Sequence, residues 1–228
     1  MSTDAPTDPI ASYFDGRARG YDRQLWLEGP ALRAAARLAE PLAGARVVDL
    51  AAGTGGLAAA LVARETRLAG LVVVDLAPRM LQRAAMRLGT LDPTASFLVA
   101  DARDVPLPDA AADVVTIGYL LHLLPPKDRA QVLAEAFRLL RPDGRLVVVV
   151  HGSPPGVAGR IYRAAWCSFA RLAPRQVVGQ GPMTALASTV TAAGFIVDTS
   201  RRIPGLYWSH VLRASRPGDR QLMAVISP

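Results

Sequence analysis

Short apolar runs alternate with amphipathic segments along most of this chain. Five runs are rich in valine and leucine and lack polar alternation, which predicts strands covered on both faces, as in a parallel sheet. They span residues 46–51, 71–76, 96–101, 113–121 and 145–152. Segments with helical spacing lie between them, at residues 56–64, 78–88 and 127–140. This regular alternation with short connections predicts a doubly wound α/β domain.

The chain carries additions on both sides of this alternating region. Residues 10–40 contain two helical stretches, with Pro30 predicted in the first turn of the second. After the fifth strand, the spacing predicts a helix over residues 157–173. Two later apolar segments, 194–202 and 206–215, predict an antiparallel strand pair that closes the sheet edge.

These additions define the predicted domain organisation. Residues 1–40 form an N-terminal helical lid segment, and residues 41–228 form the main domain with a helical cap insertion around 153–181. The opening residues 1–9 are polar and acidic and lack the basic and apolar regions of a signal peptide. They therefore predict a loose terminus.

Composition narrows the class of protein. Hydrophobic residues make up 51% of the chain, which is enough for a sizeable core and too many for a disordered protein. No apolar stretch approaches the roughly 20 residues that a membrane-spanning helix needs. The single cysteine, Cys167, excludes an internal disulfide and leaves no cysteine cluster for a metal. We predict a packing role for Cys167, no metal site and a cytoplasmic location.

The excess of positive over negative charge lies entirely in the last third of the chain. The formal net charge is +7, and residues 1–151 contain equal numbers of basic and acidic side chains. Residues 152–228 contain nine arginines against two aspartates. This excess favours contact with an anionic substrate, a phosphate group, a membrane surface or a nucleic acid. A solvated basic face without a partner is the alternative.

The segment VVDLAAGTGG, at residues 47–56, carries the first chemical signal. Gly53 and Gly55 follow a strand and open a helix, a pattern that by itself also fits a dinucleotide. Asp49 ends the strand just before this turn, where its carboxylate would repel a pyrophosphate. S-adenosylmethionine (SAM) carries a cationic sulfonium and no phosphate, so Asp49 favours SAM over NAD. The glycines let the backbone lie against such a ligand without a Cβ.

Acidic residues also end the next two strands. Asp75 ends the second strand, where a carboxylate accepts hydrogen bonds from vicinal ribose hydroxyls. Leu76 and Met80 follow it and are predicted to flank an adenine. Asp101 ends the third strand and, with the backbone of Ala102, is predicted to contact the adenine edge. Because the carboxyl ends of parallel strands meet at one edge, these residues predict a single ligand crevice.

Five segments resemble, in order, the motifs of class I SAM-dependent methyltransferases. They are VVDLAAGTGG, VVVDLAPRML, FLVADARDVPLPD, DVVTIGYLLHLL and LRPDGRLVVVV. With the leading YFDGRARGYDRQ, they are most similar to the UbiE-like group, which methylates ubiquinone and menaquinone precursors and has many small-molecule relatives. The resemblance covers roughly residues 12–151, and beyond these only the strand pair is similar.

This resemblance implies both the fold and the roles of site residues. The implied fold is a Rossmann-like, seven-stranded, mostly parallel sheet of order 3-2-1-4-5-7-6 with strand seven antiparallel. Asp75 is placed on the ribose and Asp101 with Ala102 on the adenine, while backbone around Ala51–Gly55 and Gly118 holds the methionine portion. The implied activity is methyl transfer from SAM to a small-molecule or lipophilic, quinone- or lipid-like acceptor. The protein is expected to act as a monomer or homodimer.

Methyl transfer requires an aligned acceptor and the exclusion of water, with a base only where the acceptor must lose a proton. Tyr119 and His122 follow the fourth strand and His151 ends the fifth, so all three are catalytic candidates. Packing or capping roles for the histidines, and pocket lining for Tyr119, are the alternatives. Tyr13 and Tyr21 belong to the segment predicted to fold over SAM as a lid.

The predicted cap helix places Arg160, Arg163 and Arg171 along one side of an apolar surface. Such a basic amphipathic helix predicts either an ordinary cap packed on the domain or a surface that meets an anionic membrane. Peripheral membrane contact would give access to a lipophilic substrate.

The sequence also leaves other functions open. The basic last third is compatible with an RNA methyltransferase, but no RNA-binding module is evident. The stretch IGYL stands where an enzyme acting on a flipped base has an N-P-P-Y type motif, so nucleic acid is disfavoured as a partner. A SAM-binding protein that transfers no methyl group would carry the same motifs. A NAD enzyme is disfavoured by Asp49.

Overall fold

The computed structural model describes residues 9–218, apart from residues 41, 66, 90, 93 and 172–178. The predicted loose terminus therefore lies, except for Pro9, outside the described residues. Seven strands form one sheet. They are β1 Arg46–Leu50, β2 Gly70–Asp75, β3 Ser96–Val99, β4 Ala112–Gly118, β5 Leu140–His151, β6 Ile196–Ile203 and β7 Ser209–Ser215.

The strand order is β3-β2-β1-β4-β5-β7-β6. Strands β1 to β5 pair in parallel, whereas β7 is antiparallel to both β5 and β6. The predicted fold class, strand order and antiparallel seventh strand are thus confirmed. The strand order switches direction between β1 and β4, so a crevice is expected above the carboxyl ends of these two strands.

Helices cover both faces of the sheet. They are α1 Pro9–Tyr21, α2 Leu25–Leu38, α3 Gly56–Val62, α4 Pro78–Leu88, α5 Pro126–Leu139, α6 Gly156–Ala170 and α7 Leu186–Ala192. Helices α2, α3 and α4 bury apolar side chains against one face, which includes Val73 and Val147. Helices α5 and α7 pack on the other face, against Ile117 and Val148. Burial on both faces explains the unbroken apolar runs of the central strands.

The start of α2 differs from the prediction. The sequence places Pro30 in the first turn, but the helix begins at Leu25, so Pro30 lies inside it. Tertiary packing holds the additional turn. A Cβ at Gly56 would stand 2.8 Å from Leu25 Cδ2, so the start of α2 lies closely on the first turn of α3. Contacts of this kind outweigh local helix signals.

Helix α6 lies in the segment predicted to form a cap, and most of its residues are exposed or half-buried. The helix ends at Ala170, and the predicted cap loop falls partly in residues 172–178, outside the described residues. Only Gly159 of α6 is buried, whereas Val157, Ile161 and Phe169 are 58%, 66% and 51% exposed. Cys167 is also exposed, so its predicted packing role is wrong. In the described ranges, no helix is both long enough and apolar enough to cross a membrane.

Candidate active site

A crevice opens at the carboxyl ends of β1, β2, β3 and β4. It consists of a larger and a smaller pocket, with about 890 Å³ and 360 Å³ of empty space when their mouths are included. Both pockets are lined by Tyr21, Ala51, Gly53, Gly118 and Tyr119. The two pockets are therefore adjoining parts of one site.

The structure brings most of the predicted SAM-contacting residues into this crevice. Those that line the larger pocket are Tyr21, Ala51, Gly53, Asp75, Leu76, Met80, Asp101, Ala102 and Gly118. Asp49 lines the smaller pocket, and Gly55 is absent from the lining of both. A Cβ at Gly55 would stand 3.1 Å from the Cβ of Ala84, so this glycine lets α3 and α4 approach each other.

The turn after β1 leaves space for a ligand at Gly53. This residue has a φ of +57°, and a Cβ built on it would meet no atom within 4 Å. Its backbone N–H donates to Asp75 Oδ2 at 2.7 Å, which fixes the turn against the end of β2. The turn is therefore an open backbone cradle, held in place from the neighbouring strand.

Asp75 connects the ends of two strands. Its Oδ2 accepts the Gly53 N–H, and its Oδ1 accepts the Ala77 N–H at 2.8 Å. Burial raises the pKa of Asp75, and the backbone hydrogen bonds oppose that rise. Each carboxylate oxygen has a second lone pair, so the group can accept further hydrogen bonds from a ligand in the larger pocket.

Asp101 is engaged by a neighbouring arginine. Arg103 donates its Nε to Asp101 Oδ1 at 3.0 Å and its Nη2 to Oδ2 at 2.6 Å. Although burial favours the protonated form, the hydrogen bonds and charge of Arg103 hold the pKa of Asp101 below its usual value. Asp101 is thus a carboxylate at neutral pH, oriented at the rim of the larger pocket.

Helix α1 lies against the larger pocket and is held there by α4. Phe14 and Tyr21 of α1 line the pocket. The Arg79 N–H donates to Asp15 Oδ1 at 2.7 Å, near the start of α4. At the end of α1, Asp22 pairs with Arg83 and Arg87 of α4. These contacts position the N-terminal segment over the crevice.

The smaller pocket contains two buried acids. Glu28 of α2 is 2% exposed and accepts a hydrogen bond from Gln24 Nε2 at 2.7 Å. Asp49 is fully buried, and its Oδ1 accepts a hydrogen bond from Thr116 Oγ1 at 2.5 Å. Burial raises the pKa of each acid to about 7, against the opposing hydrogen bonds.

Tyr119 is the catalytic candidate that the structure places in both pockets. It follows β4 with a φ of +55°. Its hydroxyl shares a 2.7 Å hydrogen bond with Ser209 Oγ. Burial, followed by the charge of Glu28, raises the pKa of Tyr119, so its phenol stays neutral at physiological pH.

The two histidine candidates lie behind Tyr119 and are absent from the linings of both pockets. The His122 ring centroid is 6.2 Å from that of Tyr119 and 5.9 Å from that of His151. Burial lowers the pKa of His122 to about 3 and that of His151 to about 4. Both imidazoles are therefore neutral at pH 7.

An aromatic cluster surrounds His151. Its ring stacks on Tyr207 with centroids 4.2 Å apart, and the Trp166 ring lies at the same distance at a steeper angle. Its Nε2 shares a 2.9 Å hydrogen bond with the Tyr162 hydroxyl. Helix α6 therefore contacts His151 through Tyr162 and Trp166, although its outer face is exposed.

Sequence reasoning missed several residues of the site. Glu28 carried a signal, because it is a charged residue at helical spacing from the apolar Leu25 and Leu32. Tyr207 and Ser209 carried none, since they reach the site only through the antiparallel pairing of β7 with β5.

Comparisons with known proteins agree with this geometry. Residues 47–144 match the protein family described as "Methyltransferase domain". The demethylmenaquinone methyltransferase of Clavibacter sepedonicus is 36% identical over 157 residues, which cover 64% of this chain and 59% of that protein. The demethylmenaquinone methyltransferase of Thermus thermophilus is 41% identical over 132 residues, 58% of this chain and 59% of that protein. This chain thus matches about three fifths of the length of these curated relatives.

The fold is also found among solved structures. The N-methyltransferase NodS of Bradyrhizobium japonicum WM9, in complex with S-adenosyl-L-homocysteine, superposes with a TM-score of 0.72 at 15% identity. The match covers 92% of this chain and 100% of NodS. Together, these findings confirm the resemblance that the motifs indicated.

Proposed function

We propose that this chain, whose residues 47–144 match the family described as "Methyltransferase domain", transfers a methyl group from SAM to a small-molecule or lipophilic acceptor. One observation carries the proposal. The two-part crevice presents Asp49, Asp75 and Asp101 at the ends of consecutive strands, beside the open cradle at Gly53. This arrangement suits a nucleoside attached to a cationic group.

The residues present fit SAM better than a cofactor with phosphates. The smaller pocket is lined by two acids and, among the described residues, by no lysine or arginine. Asp49 Oδ2 is buried without a hydrogen-bond partner of normal geometry in that part of the chain. A cationic amino-acid portion suits this lining, whereas a pyrophosphate would face two carboxyl groups.

The larger pocket suits the adenosine portion of SAM. Asp75 would accept hydrogen bonds from the ribose hydroxyls with the lone pairs that Gly53 and Ala77 leave available. Asp101 and Ala102 would contact the adenine edge, and Leu76 with Met80 would flank its ring. The backbone of Ala51–Thr54 and Gly118 would hold the methionine portion, and Tyr21 would close the site from α1.

When bound, SAM supplies a methyl group that its sulfonium already activates. The chain then has to align the acceptor and keep water away. Tyr119 is oriented by Ser209 and borders both pockets, so it is placed to position the acceptor. Burial lowers the pKa of His122 and His151, so both imidazoles are neutral at pH 7 but only weakly basic. Both histidines stay catalytic candidates, placed behind Tyr119 and outside the linings of the two pockets.

The domain organisation is part of the proposal. Residues 1–40 act as a lid, since α1 lines the larger pocket through Phe14 and Tyr21 and is tied to α4 by ion pairs. The insertion around 153–181 acts as a cap on the acceptor side, since Trp166 contacts His151.

The aromatic cluster supports a planar, lipophilic acceptor. The rings of Tyr119, His151, Tyr162, Trp166 and Tyr207 lie close to one another beside the crevice. Aromatic side chains of this kind favour stacked or edge contacts with another ring. The named relatives are demethylmenaquinone methyltransferases, which is consistent with a quinone-like acceptor.

A transfer screen tests the proposal. The protein is incubated with methyl-labelled SAM and cell-extract fractions divided into lipid, polar-metabolite and RNA pools. We expect label in the lipid pool, with S-adenosylhomocysteine formed in equal amount. Label confined to RNA would favour an RNA methyltransferase. Bound SAM without any S-adenosylhomocysteine would favour a protein that binds SAM for another purpose.

Peripheral membrane contact through α6 is the second part of the proposal. The exposed Val157, Ile161 and Phe169 share the helix with the exposed Arg160, and Arg171 follows its end. Exposed apolar side chains flanked by arginines suit the surface of an anionic bilayer. This contact would bring the acceptor side next to a lipophilic substrate.

Removing two of these arginines is expected to weaken vesicle binding. Each basic side chain near an anionic surface contributes about 1 kcal/mol, so the double variant Arg160→Ala/Arg171→Ala should bind about 30-fold more weakly. Co-sedimentation with phosphatidylserine-containing vesicles measures the effect. The matched control, Arg33→Ala/Arg37→Ala, removes two exposed charges from α2 and should bind as the wild type does. Equal recovery of the wild type with anionic and neutral vesicles would refute the contact.

A further inference from the structure

Glu28 is a charged residue on the buried side of α2. It lies between Leu25 and Leu32 along the helix, is 2% exposed and lines the smaller pocket. Gln24 Nε2, which is uncharged, donates to its Oε1 at 2.7 Å. A glutamate is rarely buried to this extent without an opposite charge, because desolvation disfavours the ionised form.

Asp49 lines the same pocket and has one oxygen available. Its Oδ1 accepts a hydrogen bond from Thr116 Oγ1. The Ala58 backbone N–H also lowers the pKa of Asp49, but the buried Oδ2 has no partner of normal hydrogen-bond geometry among the described residues. A buried acceptor without a donor is unfavourable unless a ligand supplies one. The described lining of the pocket therefore suits a ligand that supplies a hydrogen-bond donor, a positive charge, or both.

The groups that face Glu28 provide no such charge. They are Asp49 of β1, Tyr21 of α1, Tyr119 beyond β4 and Tyr207 before β7, while α3 contributes apolar residues. Burial, followed by the charge of Glu28, raises the pKa of all three tyrosines, so they stay neutral. A cation is thus the complement that the described lining lacks.

We propose that Glu28 binds the positively charged group of the ligand and releases its own proton when the ligand binds. The inference rests on the proposed function, in which the ligand is SAM. On binding, the Glu28 carboxyl group releases its proton to solvent, and the resulting carboxylate faces the α-ammonium or sulfonium of the ligand. Where Glu28 is protonated, its proton leaves as one positive charge enters, so the exchange at Glu28 adds no net charge to the pocket.

The exchange makes SAM binding depend on pH. Without a cation, burial raises the pKa of Glu28 and of Asp49 to about 7 each. Below pH 7 each protonated carboxyl group must therefore lose its proton before it can face the ligand as a carboxylate. Affinity then falls as pH falls, by a limiting factor of about ten per pH unit for each acid.

Calorimetric titration of the full chain with SAM at pH 7.5 and pH 6.0 measures this linkage. With both acids titrating, the wild-type Kd should rise about 70-fold between these pH values. Glu28→Gln keeps the shape and an oxygen that accepts from Gln24, but it cannot titrate. Its Kd should rise only about 8-fold, the share of Asp49. The control Glu40→Gln, which breaks the surface pair with Arg64, should retain the wild-type dependence.

Proton release provides a second, independent measurement. Titrations at pH 7 in buffers of different ionisation enthalpy should give about one proton released by the wild type and about half a proton by Glu28→Gln. A merely structural role for Glu28 would change affinity at every pH equally and leave proton release unchanged. Thermal melts of each variant without ligand establish that all are folded under the titration conditions.

The outcomes separate this inference from the proposed function. SAM binding by Glu28→Gln with the wild-type pH dependence and proton release would overturn the role of Glu28 and leave the methyltransferase proposal intact. A folded wild type that binds no SAM would overturn both. Equal proton linkage with S-adenosylhomocysteine, which lacks the sulfonium, would place Glu28 at the α-ammonium. Linkage seen with SAM alone would place it at the sulfonium.

Discussion

Replacing Asp75 with alanine is expected to weaken SAM binding by at least about 100-fold, because one carboxylate performs two tasks. It accepts the N–H groups of Gly53 and Ala77, which fixes the glycine turn against the end of β2. In the proposed complex it also accepts hydrogen bonds from the ribose. Hydrogen bonds to a charged group contribute about 1.5–3 kcal/mol each, so losing two that contribute to binding gives this magnitude. Calorimetric titration with SAM at pH 7.5 measures it.

A second aspartate provides the matched control. Asp113 also accepts a backbone N–H, from Arg46 at 2.7 Å, but it lies near the amino end of β4, at the opposite edge of the sheet. Asp113→Ala is expected to lower the melting temperature and leave SAM affinity unchanged. If Asp75→Ala bound SAM as tightly as Asp113→Ala did, Asp75 would not be a ribose ligand.

The central strands of the sheet could be predicted from the sequence because of their position in the fold. Central strands buried on both faces must be apolar throughout, so β1, β2 and β4 stand out as unbroken runs. The beginning of β5 does not follow this rule. The strand starts at Leu140, which pairs with Ala112, and then passes through the exposed Arg141 before the apolar run resumes at Leu146. An apolar pattern alone therefore locates this strand too late.

The helical additions were harder to predict because their positions depend on packing between distant segments. Leu25 begins α2 by packing on Gly56, a contact that the order of residues around Pro30 does not reveal. Helix α6 has a helical pattern of apolar residues like those of buried helices, yet Ile161 and Phe169 are exposed. The same amphipathic pattern suits a buried interface and an exposed membrane-facing one.

The residues of the site likewise include some that could be predicted from the sequence and some that could not. Residues that end parallel strands, such as Asp49 and Asp75, are brought together by the sheet itself, so their position at one edge is predictable. His122 lies a few residues beyond β4. The backbone turn at Tyr119, which the residue spacing does not reveal, decides where the His122 side chain lies. Tyr207 stacks on His151 only because β7 runs antiparallel to β5, with Ser209 opposite His151. Such contacts can be identified only when the register between the paired strands is known.

Replacing Gly53 with valine is expected to abolish measurable SAM binding while the fold is retained. Gly53 has a φ of +57°, a conformation that a β-branched residue strongly disfavours. A Cβ at this position would meet no protein atom within 4 Å, so the added side chain would occupy the crevice and not the core. Calorimetry measures SAM affinity, and far-UV circular dichroism with thermal melting reports the fold.

A series of variants separates backbone strain from obstruction. Gly53→Ala adds the strain, about 1–2 kcal/mol, with little bulk, so it is expected to lower the melting temperature and to lose much less SAM affinity than Gly53→Val. Gly44 has a φ of +69° and equally open surroundings, but it precedes β1 at the opposite edge of the sheet. Gly44→Val should therefore lower the melting temperature as Gly53→Val does and still bind SAM. Because strain is shared by the two valine variants, a loss of binding confined to Gly53→Val would assign the effect to the crevice, whereas full affinity in Gly53→Val would remove SAM from this site.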